Sequence, residues 1–245
     1  MGVGIPGTGM IGLPIAVALG AIIGKSEYQL EVLKDSTPEA VKLGKQYINE
    51  KRVCISLKEG IVEKLYIEVL CEAEGKVATA IIAGGHTTFI YIARGEEILF
   101  SKQPVGTEEQ DEENLDLNLK KVYDFALTAP LEEIRFILET ARLNKAAAES
   151  SFQGDYGHAL GKVLRGRYEH QIMGDSVFSH ILSYTSAACD ARMAGAMIPV
   201  MSNSGSGNQG ISATLPVLIF AEENGKSEEE LIRALMLSHL TVIYI

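Results

Sequence analysis

The chain has 245 residues, 47% of them hydrophobic and 22% charged, and 22 basic against 32 acidic side chains leave a formal net charge of −10. That balance belongs to a globular protein rather than a disordered one, and its acidity argues against nucleic-acid binding, which needs Lys and Arg gathered on phosphates. Cys54, Cys71 and Cys189 are too few and too scattered for a disulfide framework, and no pair has zinc-ligand spacing.

Met1 leads into glycines rather than a basic signal-peptide region, so a reduced, cytoplasmic setting is the expectation. Of the 24 glycines, eight cluster in two places, residues 2–12 and 205–210. The first opens the chain as a loop. The apolar run Ile11–Ile23 follows, with Pro14 acceptable in a first helical turn. It is too short to span a bilayer, which takes about 20 apolar residues. A fully buried helix is expected.

Tyr28–Leu33 alternates as a short strand, and Ser36-Thr37-Pro38-Glu39 reads as a cap for a helix reaching about Asn49. Three or four strands follow. Leu65, Ile67, Val69 and Cys71 share one face, which makes Cys71 a core residue; Val77, Thr79 and Ile81 share a face of the next. Gly84-Gly85-His86-Thr87 punctuates the strand Thr88–Ala93, and Arg94-Gly95-Glu96 is the next turn. A meandering antiparallel sheet in a small α+β unit results.

Thr107–Asp116 reads as an acidic solvated linker, after which the chain is helical to its end. Thr128-Ala129-Pro130 starts a helix with Leu131, Ile134, Ile137, Leu138 and Ala141 on one face. Asp175 is expected to cap another, whose small residues Ser183, Ser186, Ala187 and Ala191 let a neighbour approach closely. Asn224-Gly225 is a stop, and Ser227-x-x-Glu230 a capping box for a last helix bearing Leu231, Ile232, Leu235, Met236, His239, Leu240 and Ile243. That helix breaks off in mid-pattern at Ile245 and the chain opens abruptly on a glycine loop, so a fragment of a longer enzyme is expected. The surface is compatible with a homodimer.

The pattern G-x-G-x-x-G occurs at Gly2–Gly7, Gly7–Gly12 and Gly205–Gly210. A dinucleotide fingerprint needs a strand before it within a βαβ unit, and none of the three has that context. Each cluster does precede an apolar, helix-like segment, and backbone N–H groups at a helix start can hold a phosphate or carboxylate. The richer one, Ser202-Asn203-Ser204-Gly205-Ser206-Gly207-Asn208-Gln209, lies between apolar segments and could grip a zwitterionic small molecule. His86 is either an exposed turn residue or a ligand contact. Asp190 and Arg192 either close their helix as a charge pair or leave Arg192 to face a substrate carboxylate. Cys189 fits a core position by helical spacing, Cys54 an exposed one, and none is a strong nucleophile. His158, His170 and His180 have no metal-ligand spacing.

The string Met197–Ile211, with Gly4-Ile5-Pro6-Gly7-Thr8-Gly9 and Gly84-Gly85-His86-Thr87, resembles the serine dehydratase alpha-chain-like proteins. Within them it is most similar to the branch containing L-cysteine desulfidases. The resemblance covers essentially the whole chain. It implies an α+β fold in which a mostly helical catalytic domain, residues 1–26 and 107–245, carries an inserted small α/β sandwich domain with an antiparallel sheet, residues 27–106. It implies an oxygen-sensitive, PLP-independent lyase that eliminates the β-substituent of L-cysteine or L-serine, with a [4Fe–4S] cluster as Lewis acid on the leaving group. Substrate contacts carry over to Gly7, Thr8, Gly9, His86, Thr87 and residues Ser202, Asn203, Ser204, Gly205, Ser206, Gly207, Asn208 and Gln209, with Arg192 a candidate carboxylate contact.

No metal ligand carries over. The family's Gly-Ser-Cys-Gly loop looks equivalent to Gly205-Ser206-Gly207, where glycine replaces the cysteine, so this chain is expected to carry no cluster. Two other readings stay open. One is a PLP-dependent β-eliminating enzyme, for which Lys145 and Lys162 look like helix-surface residues rather than Schiff-base lysines. The other is a non-catalytic amino-acid-binding protein.

Overall fold

The computed structural model of the chain describes residues 3–63, 65–102, 117–166 and 173–245. The run Thr107–Asp116 and His170 lie outside the described residues. Two compact units emerge, Met1–Ala16 with Asp116–Ile245, and Val17–Leu115. Helices and an antiparallel sheet coexist, as an α+β protein requires.

The first unit opens with a hairpin of two short strands, β1 (Gly4–Ile5) and β2 (Met10–Ile11). Thr8 is buried in its turn, where its hydroxyl donates to the Ile5 carbonyl at 2.7 Å and accepts the Met10 N–H at 3.0 Å. Helix α1 (Leu13–Ile23) starts here and runs on into the second unit. It is buried along one stripe, Ile15, Ala18 and Leu19, while Leu13 and Val17 are exposed. The expected all-round burial is therefore corrected to a half-buried helix.

The remaining helices of this unit are α3 (Leu119–Thr128), α4 (Leu131–Ile134), α5 (Leu138–Gln153), α6 (Leu160–Val163), α7 (Val177–Met193), α8 (Gly207–Glu223) and α9 (Glu228–Tyr244), with a 3₁₀ turn over Arg135–Ile137. Their shared core contains Ile134, Ile137, Ile211, Leu215, Ile232 and Leu235 among many alanines. Alanines and serines on α7 do admit close neighbours: a Cβ added to Gly161 of α6 would meet the Ala187 Cβ at 2.5 Å, and Ser183 donates to the Gly161 carbonyl at 2.8 Å. Ser227 and Glu230 form the capping box of α9 as the spacing predicts. At α7 the cap is Ser176, in a reciprocal pair with Ser179, and not Asp175. A serine pair satisfies two orphan donors at once. Asp175 instead bonds His180 Nε2 at 2.6 Å, while Glu223, at the end of α8, holds His180 Nδ1 at 2.7 Å.

In the second unit Tyr28–Leu33 is not a strand. Ser26–Glu31 forms a 3₁₀ helix in which Gln29 takes a positive φ of 49°. No neighbouring strand offers this segment a ladder among the described residues. A Lys25–Asp35 ion pair at 2.6 Å and Lys34 over the Tyr28 ring at 3.7 Å fold it back locally. Helix α2 (Pro38–Asn49) starts where expected, with Thr37 accepting the Ala40 N–H at 3.2 Å.

Strands β3 (Tyr66–Ala73), β4 (Lys76–Ala83), β5 (Phe89–Arg94) and β6 (Glu97–Ser101) form the antiparallel meander in sequential order. Register sets Val69 opposite Ala80, Ala80 opposite Ile92 and Ile92 opposite Phe100. Cys71 is exposed, which corrects its reading as a core residue: Ile67 and Val69 on the same face are exposed as well. No helix among the described residues is long and apolar enough to cross a membrane.

His180 makes one pH effect readable. Glu223 first and Asp175 second raise its pKa above the ordinary imidazole value, against partial burial. A raised folded pKa stabilises below the unfolded value, about 6.5, and that stabilisation disappears as pH climbs through the raised one. Urea midpoints of wild type and His180→Gln should therefore differ more at about pH 6 than at about pH 9. An equal gap at both would show that the two carboxylates do not hold a charged ring.

Candidate functional site

The stretch between α7 and α8 has almost no regular structure, so side chains must satisfy its backbone. Asn144, fully buried on α5, does so at Met201: its Oδ1 accepts the Met201 N–H at 2.9 Å and its Nδ2 donates to the Met201 carbonyl at 3.3 Å. Two residues on, Asn203 and Ser206 exchange both backbone bonds, at 3.0 and 2.9 Å. Between them Ser204 (φ 48°) and Gly205 (φ 74°) both lie in the left-handed region, as a type I′ turn requires. Glycine enters that region freely and serine does so under strain. Ser204 Oγ donates to Asn203 Oδ1 at 2.8 Å, which ties the strained residue down.

The turn feeds directly into α8. Ser206 is its N-cap and accepts the Gln209 N–H at 3.4 Å. The amides of Gly207 and Asn208 fall in the first turn, where a helix offers no internal acceptor. Gly207 is buried beneath Arg192 of α7, and a Cβ there would fall far inside van der Waals contact with the guanidinium Nε. Arg192 Nη1 donates to Asn208 Oδ1 at 3.2 Å and to the Met193 sulfur at 3.2 Å.

Asp190 is not its partner. That carboxylate accepts the backbone N–H of Leu160 at 2.6 Å and, more weakly, those of His158 and Gly161 at 3.4 Å, fixing the start of α6. The charge-pair reading of Asp190 and Arg192 is thereby set aside. Among the described residues no carboxylate pairs with the Arg192 guanidinium.

Below the turn lies a group that sequence periodicity conceals. His239 of α9 is buried at 6% exposure. Its Nδ1 stands 3.0 Å from Asn203 Nδ2 and its Nε2 3.0 Å from Thr214 Oγ1 on α8. Burial pulls its pKa below the ordinary imidazole value. On the helical pattern it reads as one more member of an apolar stripe.

The expected contacts therefore divide. Ser202, Asn203, Ser204, Gly205, Ser206, Gly207, Asn208 and Gln209 form one loop and helix start with Arg192 against it. Asn203 and Gly207 are buried there, while Ser202, Ser204, Gly205 and Gln209 are exposed. The hairpin holding Gly7, Thr8 and Gly9 sits beside the segment that leads into the loop. Gly4 packs backbone to backbone on Ala194 and Gly195, and Gly7 lies near the Met197 sulfur. Thr8 is consumed by its own turn. His86 and Thr87 belong to the second unit, exposed in the β4–β5 connection.

A model of the serine dehydratase alpha chain matches residues 27–245. The chain belongs to the serine dehydratase alpha-chain family. It is also 83% identical to a UPF0597 protein of Bacteroides fragilis over all its 245 residues, 78% identical to one of Bacteroides thetaiotaomicron, and 43% identical to one of Vibrio parahaemolyticus over 248 positions. It spans 57 to 58% of the length of these relatives. No solved structure matches it.

The iron–sulfur cluster that the resemblance implies does not fit the residues present. Position 207 carries no thiol, and a side chain there would meet the Arg192 guanidinium and require it to move aside. Cys54 and Cys71 are exposed on the second unit, and burial raises the pKa of the half-buried Cys189, disfavouring the thiolate that iron needs. No group of three His, Cys, Asp or Glu among the described residues could hold a metal ion. The lysines weighed for a PLP enzyme are both ion-paired, Lys145 with Glu222 at 2.6 Å and Lys162 with Asp155 at 3.1 Å.

Two glycines separate loop architecture from loop chemistry. A Cβ at Gly210 would strike the Met201 carbonyl, which is backbone and cannot yield cheaply; at Gly207 it would strike a flexible side chain. Gly210→Ala should cost roughly 2–3 kcal/mol of stability and Gly207→Ala less than about 1 kcal/mol, read from urea midpoints. Equal losses would mean that Arg192 is as immobile as the backbone.

Proposed function

We propose that the 201–210 loop binds the carboxylate and amine of a small L-amino acid, and that the whole protein eliminates the β-substituent of L-cysteine or L-serine. Cysteine with water would give pyruvate, ammonia and sulfide; serine would give pyruvate and ammonia, the water lost in elimination returning in hydrolysis of the imine. Family membership supports the lyase reading. The observation that carries the binding reading is the Arg192 guanidinium. It is half-buried, lies at the N-terminal end of α8, and faces an amide oxygen and a thioether instead of a carboxylate.

A guanidinium beside first-turn amides is a matched receptor for a carboxylate, through two N–H···O bonds and the positive end of the helix. The hydroxyls of Ser202 and Ser204 and the side chain of Gln209 are exposed around it, suited to the ammonium and the β-substituent. His239 is not the base that removes the α-proton, because protein partners occupy both ring nitrogens.

Calorimetric titration of L-serine and L-cysteine into the protein tests this. A charge-assisted hydrogen-bond pair contributes about 1.5–3 kcal/mol, so Arg192→Gln should weaken binding by roughly 10- to 100-fold. Serinol and cysteamine, which lack the carboxylate, should bind poorly to wild type and be indifferent to the substitution. Equal affinity for serine and serinol would overturn the reading.

A further inference from the structure

Four uncharged polar side chains from four segments meet beneath the loop: Asn144 of α5, Asn203 of the turn, Thr214 of α8 and His239 of α9, each at most 6% exposed. Hydrogen accounting leaves one arrangement. Thr214 has a single hydroxyl hydrogen and donates it to the Gly210 carbonyl at 2.7 Å. Its oxygen can then only accept, from Asn144 Nδ2 at 3.1 Å and from His239 Nε2 at 3.0 Å. His239 is therefore protonated on Nε2.

On the other side Asn203 Nδ2 reaches both the His239 carbonyl and Nδ1, each at 3.0 Å. An amide N–H₂ only donates, so Nδ1 must be an unprotonated acceptor. The Asn203 orientation is fixed by the His239 carbonyl, which can only accept, and it leaves Oδ1 to accept from Ser204 Oγ. Every hydrogen in the network is placed only if the ring is neutral.

We propose that His239 is a positioning residue for the loop: as the neutral Nε2–H tautomer it fixes Asn203, and through Asn203 the strained Ser204–Gly205 turn, so that the loop is set for its ligand only while the ring is uncharged. Protonating Nδ1 would set an N–H against the Asn203 N–H₂ among side chains that are almost wholly buried, and the amide would have to swing away. Among the described residues no carboxylate contacts the ring to compensate. On α5 the adjacent Lys145 is engaged by Glu222; on α9 Arg233 holds Glu229 and the carbonyls of Ala126 and Ala129. On α3 Lys120 and Asp124 pair with each other, on α4 Glu132 pairs with Arg135, Glu133 is exposed, and the acids of α8, Glu222 and Glu223, stand at its far end. Burial of the ring favours the neutral form as well.

The proposal rests on reading the loop as the ligand site, yet its first readouts need no ligand. Nitrogen chemical shifts of the imidazoles in the full chain should show His239 as the neutral Nε2–H tautomer at about pH 7.5, and still mostly neutral at about pH 6.5, the ordinary imidazole value. Amide exchange of Asn203–Ser206, corrected for intrinsic rates, should lose about tenfold or more of its protection between about pH 7.5 and pH 5. His239→Gln, which keeps an N–H donor toward Thr214, should retain part of that protection with no pH dependence. His239→Phe should lose it at every pH.

Serine affinity should follow the same profile in wild type and be flat in His239→Gln. A charged ring at about pH 7, or turn protection in wild type independent of pH, overturns the proposal, and neither requires that a variant fold. Binding that is strong but independent of pH overturns it too. Intact pH-dependent protection with no amino-acid binding at any pH would instead sink the functional reading and leave the positioning role standing.

Discussion

The side-chain amide of Asn144 is the constraint on which the candidate site depends. A chain segment that passes close to a helical core without a strand or helix of its own has N–H and C=O groups that would be expensive to leave unpaired. Asn144 presents a donor and an acceptor to Met201, much as a neighbouring strand would, and does so from the middle of α5. The loop is thus hung on the packed helices rather than on its own turn. Gly210 allows the contact, since only a residue without a Cβ lets α8 pass so close to Met201 and Ser202. The same amide continues into Thr214 and His239, so α5, α8, α9 and the loop share one set of hydrogen bonds.

Much of the fold was legible because its signals are local. Thr37 before Pro38, the Ser227–Glu230 box and the Asn224-Gly225 stop depend only on side chains reaching backbone within one turn. The hairpin turns of the sheet are equally local. Tyr28–Leu33 failed for the opposite reason. Alternation becomes a strand only if another strand offers a ladder, and that information is not in the segment. Asp175 was a sound cap by residue type, but a serine one position later, with a second serine three beyond it, satisfies two donors where an aspartate would satisfy one.

The site was legible in outline and not in wiring. A run of Ser, Asn and Gly between apolar segments is unusual enough to mark a loop held partly inside. The burial of Asn203 and Gly207 beside exposed Ser204 and Gln209 is that compromise. His239 was invisible as more than a core position, because helical spacing places it with Leu235, Met236 and Leu240 and carries no record of what its nitrogens meet. Asp190 and Arg192 were tempting as a pair, yet side chains two apart on a helix point to different faces. Asp190 accordingly serves α6 and Arg192 serves α8.

That last divergence decides the electrostatics of the loop. Helix α8 brings the positive end of its dipole to Gly207, and Arg192 brings a full positive charge to the same place. Two like charges so close cost free energy unless an anion separates them, and what Arg192 meets instead is an amide oxygen and a thioether sulfur, both uncharged. A thiolate at position 207 would also answer that field, but only with the guanidinium moved aside. Gly207 and Arg192 are therefore coupled. The missing side chain makes room for the cation, which meets no carboxylate among the described residues.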